Sequence, residues 1–280
     1  MKFAVTTASG NLGSSIIKHL KTVTDNANII GFARTPEKAA FLEVEIRKGD
    51  YNSKEQFLEA LKGVDVLILI SGMDHPDKRI GQHRNVIEAA KENGVKKIVY
   101  TSIMGFEKGT GFSPVVSSNR QTEEDIRNSG MQWAIGRNGI YIEPDVEYIE
   151  TYKNEGKIVN SAGEGKCGYT TRAELAEAYF NLAIKEEFNG KTVNLYGPKI
   201  TQKELADGLN KVFDLQLDYE AVSVEDYTNA RIKALGDFLG SVIGGIYEGI
   251  NKGAFDGDSQ FEEVTGRPHI SLVEMIESIK

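Results

Sequence analysis

Apolar positions in the first 140 residues follow two alternating spacings. Short, mostly aliphatic runs occupy 2–7, 28–33, 44–47, 64–70, 97–102 and 131–136, the last carrying the only tryptophan, Trp133. Between them, apolar residues recur at helical steps, as in Leu12, Ile16, Ile17 and Leu20. Pro36 suits the first turn of a helix over 36–41. Ser53 with Gln56 three residues later reads as a capping box. Further helices are predicted over 79–93, closed by Asn93-Gly94, and over 118–128, after a loop containing Gly105, Gly109 and Gly111. The run 64–70 is nearly all aliphatic, as expected of a parallel strand covered on both faces. The alternation predicts an α/β fold, a doubly wound parallel sheet with right-handed crossovers.

Beyond 140 the pattern loosens. Strands are predicted at 157–160, 192–196 and 215–222, and helices at 171–185 and 201–213, followed mostly by helix. This suggests a Rossmann-like dinucleotide-binding domain over 1–155 and a smaller, mostly helical C-terminal lobe over 156–280 on the substrate side. Strands near 158 and 194 are candidates to extend the main sheet. Residues 236–257 hold seven glycines, often four apart. Their charged flanks predict loosely packed helix and loop, a candidate mobile lid.

The first strand runs directly into Ala8-Ser9-Gly10-Asn11-Leu12-Gly13 and then a helix. A strand, a glycine turn and a helix start form a phosphate-binding element, because helix N-terminal N–H groups and the helix dipole favour an anion. Gly10 allows close approach of a ligand, and Gly13 allows the helix to pack on the strand. In the usual Gly-x-x-Gly-x-x-Gly spacing, Thr7 stands where the first glycine belongs. Thr7, Ser9, Gly10, Asn11, Leu12 and Gly13 are therefore cofactor-binding candidates.

The end of the second strand separates NAD from NADP binders. An acid there takes the ribose 2′-hydroxyl, and an arginine accommodates a 2′-phosphate. This chain has Arg34, with Lys38 a turn later and no acid at the strand end, which favours NADPH over NADH. Asp50 and Tyr51 follow the third strand, where an aspartate can take the adenine amino group or simply form a turn. Ser71 and Gly72 follow the fourth strand, and Thr101 and Ser102 end the fifth. All converge on the carboxyl ends of the strands, where ligands of open α/β sheets gather.

Bulk properties narrow the classes. The net charge of −8, from 33 basic and 41 acidic residues, disfavours nucleic acid and anionic membrane as partners. Cys167 is the only cysteine and reads as a packing residue, so neither a disulfide framework nor a cysteine metal cluster is expected. The histidines at 19, 75, 83 and 269 lack metal-ligand spacing. No secretory signal or membrane-spanning run is visible, which makes the cytoplasm the default compartment. No tyrosine is followed by lysine four residues later, so the Tyr-x-x-x-Lys proton donor of typical short-chain dehydrogenases is missing. A carbonyl substrate needs such an acid. A quinone needs one less, because its quinolate can be protonated by solvent. The absence favours quinone-like acceptors, or binding without chemistry.

At this point the chain resembles the NmrA-like atypical short-chain dehydrogenases, and among them the bacterial type-2 NAD(P)H:quinone oxidoreductases. The resemblance spans nearly the whole chain. It rests on residues 8–13, 34–38 and 49–51, the segment Gln82-His83-Arg84-Asn85-Val86-Ile87, and residues 94–96 and 100–102. It continues through Arg137-Asn138-Gly139-Ile140-Tyr141, residues 171–173 and Gly266-Arg267-Pro268. It implies NADP(H) as cofactor and two-electron reduction of a small-molecule quinone, without flavin or metal. It also implies a cleft beneath a small C-terminal lobe. Asn138 and Gly139 would lie by the nicotinamide, and Asn138 and Tyr141 by the acceptor. A tight turn with Tyr141 as packing is the plainer reading of these residues. A homodimer is compatible with these features. Thr7 and Pro144 depart from the family pattern. Other members of the broader family are NADP(H)-binding redox sensors without turnover, which is the alternative function; a scaffold that has lost its cofactor is a third.

Overall fold

The computed structural model describes all 280 residues. In chain order the strands are β1 (Phe3–Val5), β2 (Ile29–Ala33), β3 (Glu45–Lys48), β4 (Val66–Ile70), β5 (Lys97–Ile103) and β6 (Gln132–Asn138). They continue as β7 (Ile140–Tyr141), β8 (Lys157–Asn160), β9 (Cys167–Thr170), β10 (Lys191–Leu195), β11 (Lys199–Ile200) and β12 (Asp218–Ala221). The first helices are α1 (Asn11–Val23), α2 (Lys54–Ala60), α3 (Pro76–Glu92), α4 (Ser113–Arg127), α5 (Glu143–Glu147) and α6 (Ile149–Glu155). The rest are α7 (Arg172–Ile184), α8 (Gln202–Phe213), α9 (Val224–Leu235), α10 (Asp237–Asn251), α11 (Phe261–Thr265) and α12 (Leu272–Glu277).

Seven strands form one parallel sheet in the order β10-β6-β5-β4-β1-β2-β3. Helices α1 and α7 pack together on one face, and α2, α3 and α4 on the other. With both faces covered, β1, β2 and β4 are buried along their whole length, which is why their sequences are continuous apolar runs. Edge strand β3 is instead Glu45-Ile46-Arg47-Lys48, and its charges discourage pairing with another chain.

The strand predicted near 194 is β10, which joins the main sheet beside β6. The strand predicted near 158 does not: β8 pairs in parallel with β12 in a separate two-stranded sheet. The segment 36–42 is a 3₁₀ rather than an α-helix. Ser53 Oγ accepts the Gln56 N–H as predicted, at 3.3 Å. The Gln56 side chain, however, binds the Asp50 N–H at 3.2 Å, so the capping box is not closed.

The glycine-rich segment is a correction. Residues 237–251 are not loose: they are α10, which forms a tight antiparallel hairpin with α9, and only 252–257 are turn and loop. A Cβ at Gly240 would stand 2.4 Å from the Ile232 backbone, and one at Gly245 only 2.1 Å from the Phe112 nitrogen. The glycine spacing records close backbone approach on both sides of α10, against α9 and against the loop before α4. No helix is long and apolar enough to cross a membrane.

Candidate functional site

Strand order reverses direction at β1, with β4 on one side and β2 on the other. A crevice therefore opens at their carboxyl ends, the switch point where such sheets take ligands. The loop 6–10 lines it. Gly10 N–H closes a turn onto the Thr7 carbonyl at 2.8 Å. Thr7 itself has φ +50°, a left-handed conformation that is strained for a β-branched residue. The backbone here requires what glycine provides, and this chain meets the requirement with threonine.

Helix α1 comes so close to this loop that a Cβ at Gly13 would stand 2.3 Å from the Thr7 oxygen. Its N-terminus carries no side-chain cap and no acid in the first turn. Helices α2, α7, α8 and α12 are each capped by a serine or threonine, whereas α1, like α4 and α10, is not; among these uncapped starts, α1 is the one at the strand-end crevice. The first N–H groups of a helix have no intrahelical acceptor. Those of α1 are thus left for an anion, with the exposed Ser9 and Asn11 at its mouth and Leu12 buried below.

Arg34, directly after β2, and Lys38, in the segment that follows, are both exposed, and neither side chain makes a hydrogen bond or ion pair. Asp50 is engaged in a turn, its Oδ1 accepting from Asn52 N at 3.0 Å and Asn52 Nδ2 at 2.9 Å. Tyr51 is not free to use its hydroxyl on a ligand. It donates to the Ile70 carbonyl at 2.5 Å and lies 2.7 Å from Thr6 Oγ1, joining the ends of β1 and β4. Burial pushes its phenol pKa up.

Behind the crevice stands a buried polar layer. The Ser71 N–H donates to Thr101 Oγ1 at 3.0 Å, and Ser71 Oγ donates to Asn119 Oδ1 at 2.9 Å while accepting from Arg79 Nη2 at 2.8 Å. The Gly72 N–H donates to His83 Nε2 at 2.9 Å. His83 Nδ1 therefore carries the proton and faces Thr122 Oγ1 at 2.8 Å. Burial, with Arg79 nearby, lowers the His83 pKa to about 3, which keeps this clamp neutral. Ser102 is also engaged within the protein. Its hydroxyl turns away from the crevice to donate to Glu123 at 2.7 Å. Glu123 is fully buried among Arg120, Arg127 and Arg137 at 2.7–2.9 Å. Burial alone would raise its pKa; Arg137 and Arg120 outweigh that and hold it low.

Asn138 and Tyr141 do come together. Asn138 is buried, and its Oδ1 accepts from Tyr179 at 2.6 Å. Its Nδ2 then donates to the Tyr141 hydroxyl at 2.9 Å. Tyr141 is left with its own proton to donate. Burial pushes its pKa up to about 12, so it keeps that proton. Arg172 lies over its ring, 5.8 Å from the centroid. Gly139 is required for close approach, since a Cβ there would stand 2.4 Å from the Gly168 carbonyl.

Sequence reasoning missed Arg79, His83, Glu123 and Tyr179. The available signal was their helical spacing. Arg79, His83, Val86 and Ile87 line the inner face of α3, and Asn119, Thr122, Glu123 and Ile126 that of α4.

A parallel sheet with an uncapped, glycine-packed helix at its switch point defines a dinucleotide-binding protein. The chain belongs to the NAD(P)H-binding, NmrA-like family: the family model for NAD(P)H-binding matches residues 7–185. It is 32% identical over 280 residues to quinone oxidoreductase 2 of Escherichia coli, covering 98% of this chain and 96% of that one. The crystal structure of the E. coli NADPH-dependent quinone oxidoreductase complexed with NADPH superimposes with a TM-score of 0.90, at 31% identity and 99% coverage of both chains. That of Citrobacter sp. triphenylmethane reductase complexed with NADP(H) gives a TM-score of 0.91 at 32% identity and 100% coverage of both.

Proposed function

We propose that this protein is an NADPH-dependent reductase that passes a hydride directly to a quinone-type acceptor. The observation that carries the cofactor half is the pairing of an uncapped α1 N-terminus with a free Arg34 at the end of β2. The residues fit the group: Gly10 and Gly13 keep the cradle clear of side chains, and Arg34 has no competing acid. Lys38 adds a second charge for a 2′-phosphate. When bound, NADPH supplies the hydride. The quinone takes that hydride and one proton to become the quinol, so no second electron carrier is required. The two relatives described above, one a quinone oxidoreductase and one a triphenylmethane reductase, support reduction of a conjugated, electron-poor organic acceptor.

This chain's own contribution is positioning. Tyr179 fixes Asn138, Asn138 fixes Tyr141, and Tyr141 offers its proton as a hydrogen bond to an acceptor oxygen. A tyrosine with so high a pKa is a poor proton donor in neutral solution. It suits an acceptor whose reduced form solvent can protonate. The test is NADPH oxidation by metal-free, flavin-free protein against several small quinones. Acceptor-dependent oxidation is expected. Tight NADPH binding with no oxidation across the panel would refute turnover and leave an NADP(H)-binding sensor.

A further inference from the structure

A second cavity, of about 290 Å³, opens in the C-terminal region between α6, the β8–β12 pair and the α9–α10 hairpin. Tyr148, Tyr152, Tyr227 and Tyr247 line it, with Arg231 and Asp226 on its α9 wall. None of its lining residues belongs to the strand-end crevice.

Two features point to a ligand. The first is the aromatic lining. Tyr227 and Tyr247 meet edge to face at 5.1 Å, and Tyr148 and Tyr152 do so at 5.2 Å, which leaves ring faces and edges for another planar ring. The second is Arg231. Its guanidinium lies over the Tyr227 ring at 5.3 Å on the cavity wall and makes no hydrogen bond or ion pair within the protein. Asp226, five residues earlier on the same helix, does not pair with it but accepts from Ser223 Oγ at 2.7 Å. A guanidinium without a protein acceptor keeps its outer N–H donors for an oxygen that enters the cavity. Exposed carboxylates of Asp226 and Glu155 at the rim oppose an anion. The missing partner is therefore a neutral oxygen.

We propose that this cavity binds a planar aromatic molecule carrying a neutral, hydrogen-bond-accepting oxygen, with its ring among the tyrosines and its oxygen on Arg231. The volume suits one or two fused rings. This site stands apart from the hydride-transfer reading, and its test needs no turnover.

The probes are 2-acetylnaphthalene and 2-ethylnaphthalene, which share a ring system and differ in one carbonyl oxygen; neither is a quinone. Equilibrium dialysis of the full chain without NADPH measures both. The ketone is expected to bind about ten-fold tighter than the hydrocarbon, the effect of one hydrogen bond to a charged donor at a half-buried site. Arg231→Gln should erase that preference. Ala230→Trp, on the exposed lip, should lose both ligands with Arg231 intact. Saturating NADP⁺ should leave the affinity unchanged, while NADPH binding measured separately reports on the crevice. Equal affinity for the two probes, a preference that survives Arg231→Gln, undiminished binding by the Ala230→Trp variant, or competition by NADP⁺ would each overturn the proposal.

Discussion

Thr7 offers the sharpest test of how this chain builds its phosphate loop. Its φ of +50° is a conformation in which the side chain crowds its own backbone. The conformation is not optional, because the Thr7 carbonyl takes the Gly10 N–H at 2.8 Å and sits where the Gly13 Cα packs against it. Holding a non-glycine residue there costs about 1–3 kcal/mol. Thr7→Gly removes that cost but adds about 0.4–1 kcal/mol of unfolded-chain entropy. The expected net gain is about 1 kcal/mol, or about 2 °C in Tm for a chain of this size. NADPH affinity should rise as well. A strained loop relaxes part of the time, and the apparent Kd falls as the competent fraction grows. Thr7→Ala serves as the control: it removes the branch but keeps a Cβ at positive φ, so it should fall between the two. Urea unfolding gives the stability change, and NADPH titration gives the affinity. A glycine variant that is both less stable and a weaker binder would refute the strain argument, and an alanine variant that matches glycine would show that φ is not its source.

Three further outcomes are expected. Arg34→Ala should weaken NADPH by about ten-fold or more, from loss of one charge-assisted contact worth about 1.5–3 kcal/mol, and leave NADH and Tm unchanged; equal loss for both cofactors in fluorescence titrations would refute the 2′-phosphate assignment. Tyr141→Phe should raise the acceptor KM more than it lowers kcat, since Tyr141 orients rather than protonates; loss of turnover with an unchanged KM would make it a proton donor. Asp145→Asn should stabilise the protein at pH 8 and change little at pH 4. Burial raises the Asp145 carboxyl from 3.8 to about 6, against hydrogen bonds from Tyr152 and Tyr169 that lower it. Between those values the folded state holds a proton that the unfolded state has released, so stability falls as pH rises through that window. The full deficit, up to about 3 kcal/mol, is present above it. Thermal melts across pH 4–8 that show no widening gap between variant and parent would refute this.

The legible parts of this molecule were those in which one residue type serves one local purpose. An aliphatic run covered on both faces can only be an interior parallel strand, so β4 and its neighbours were readable. The places of Gly10, Gly13 and Arg34 in the fold were readable because they are counted from a strand end. The α9–α10 hairpin was misread because glycine has two uses that look alike in sequence. It can free a backbone, or it can remove a Cβ so that two backbones touch, and only the partner helix distinguishes them. The internal partners of the Ser102 and Tyr51 hydroxyls were not legible for a related reason. A hydroxyl at a strand end faces two sets of neighbours, and nothing local says whether it turns to the crevice or to Glu123 or Thr6.

The buried polar layer was the least legible part and constrains the site most. Its members come from β4, β5, α3 and α4, and each becomes meaningful only through a partner 8–48 residues away. A neutral His83 holding the Gly72 N–H and a serine held from three sides leave the end of β4 little freedom to adapt to a ligand. The proposed acceptor side is built the same way, through the chain Tyr179–Asn138–Tyr141. Positioning is what a hydride transfer asks of a protein that supplies no strong acid. Groups fixed before the ligand arrives need no reorganisation when the reaction occurs.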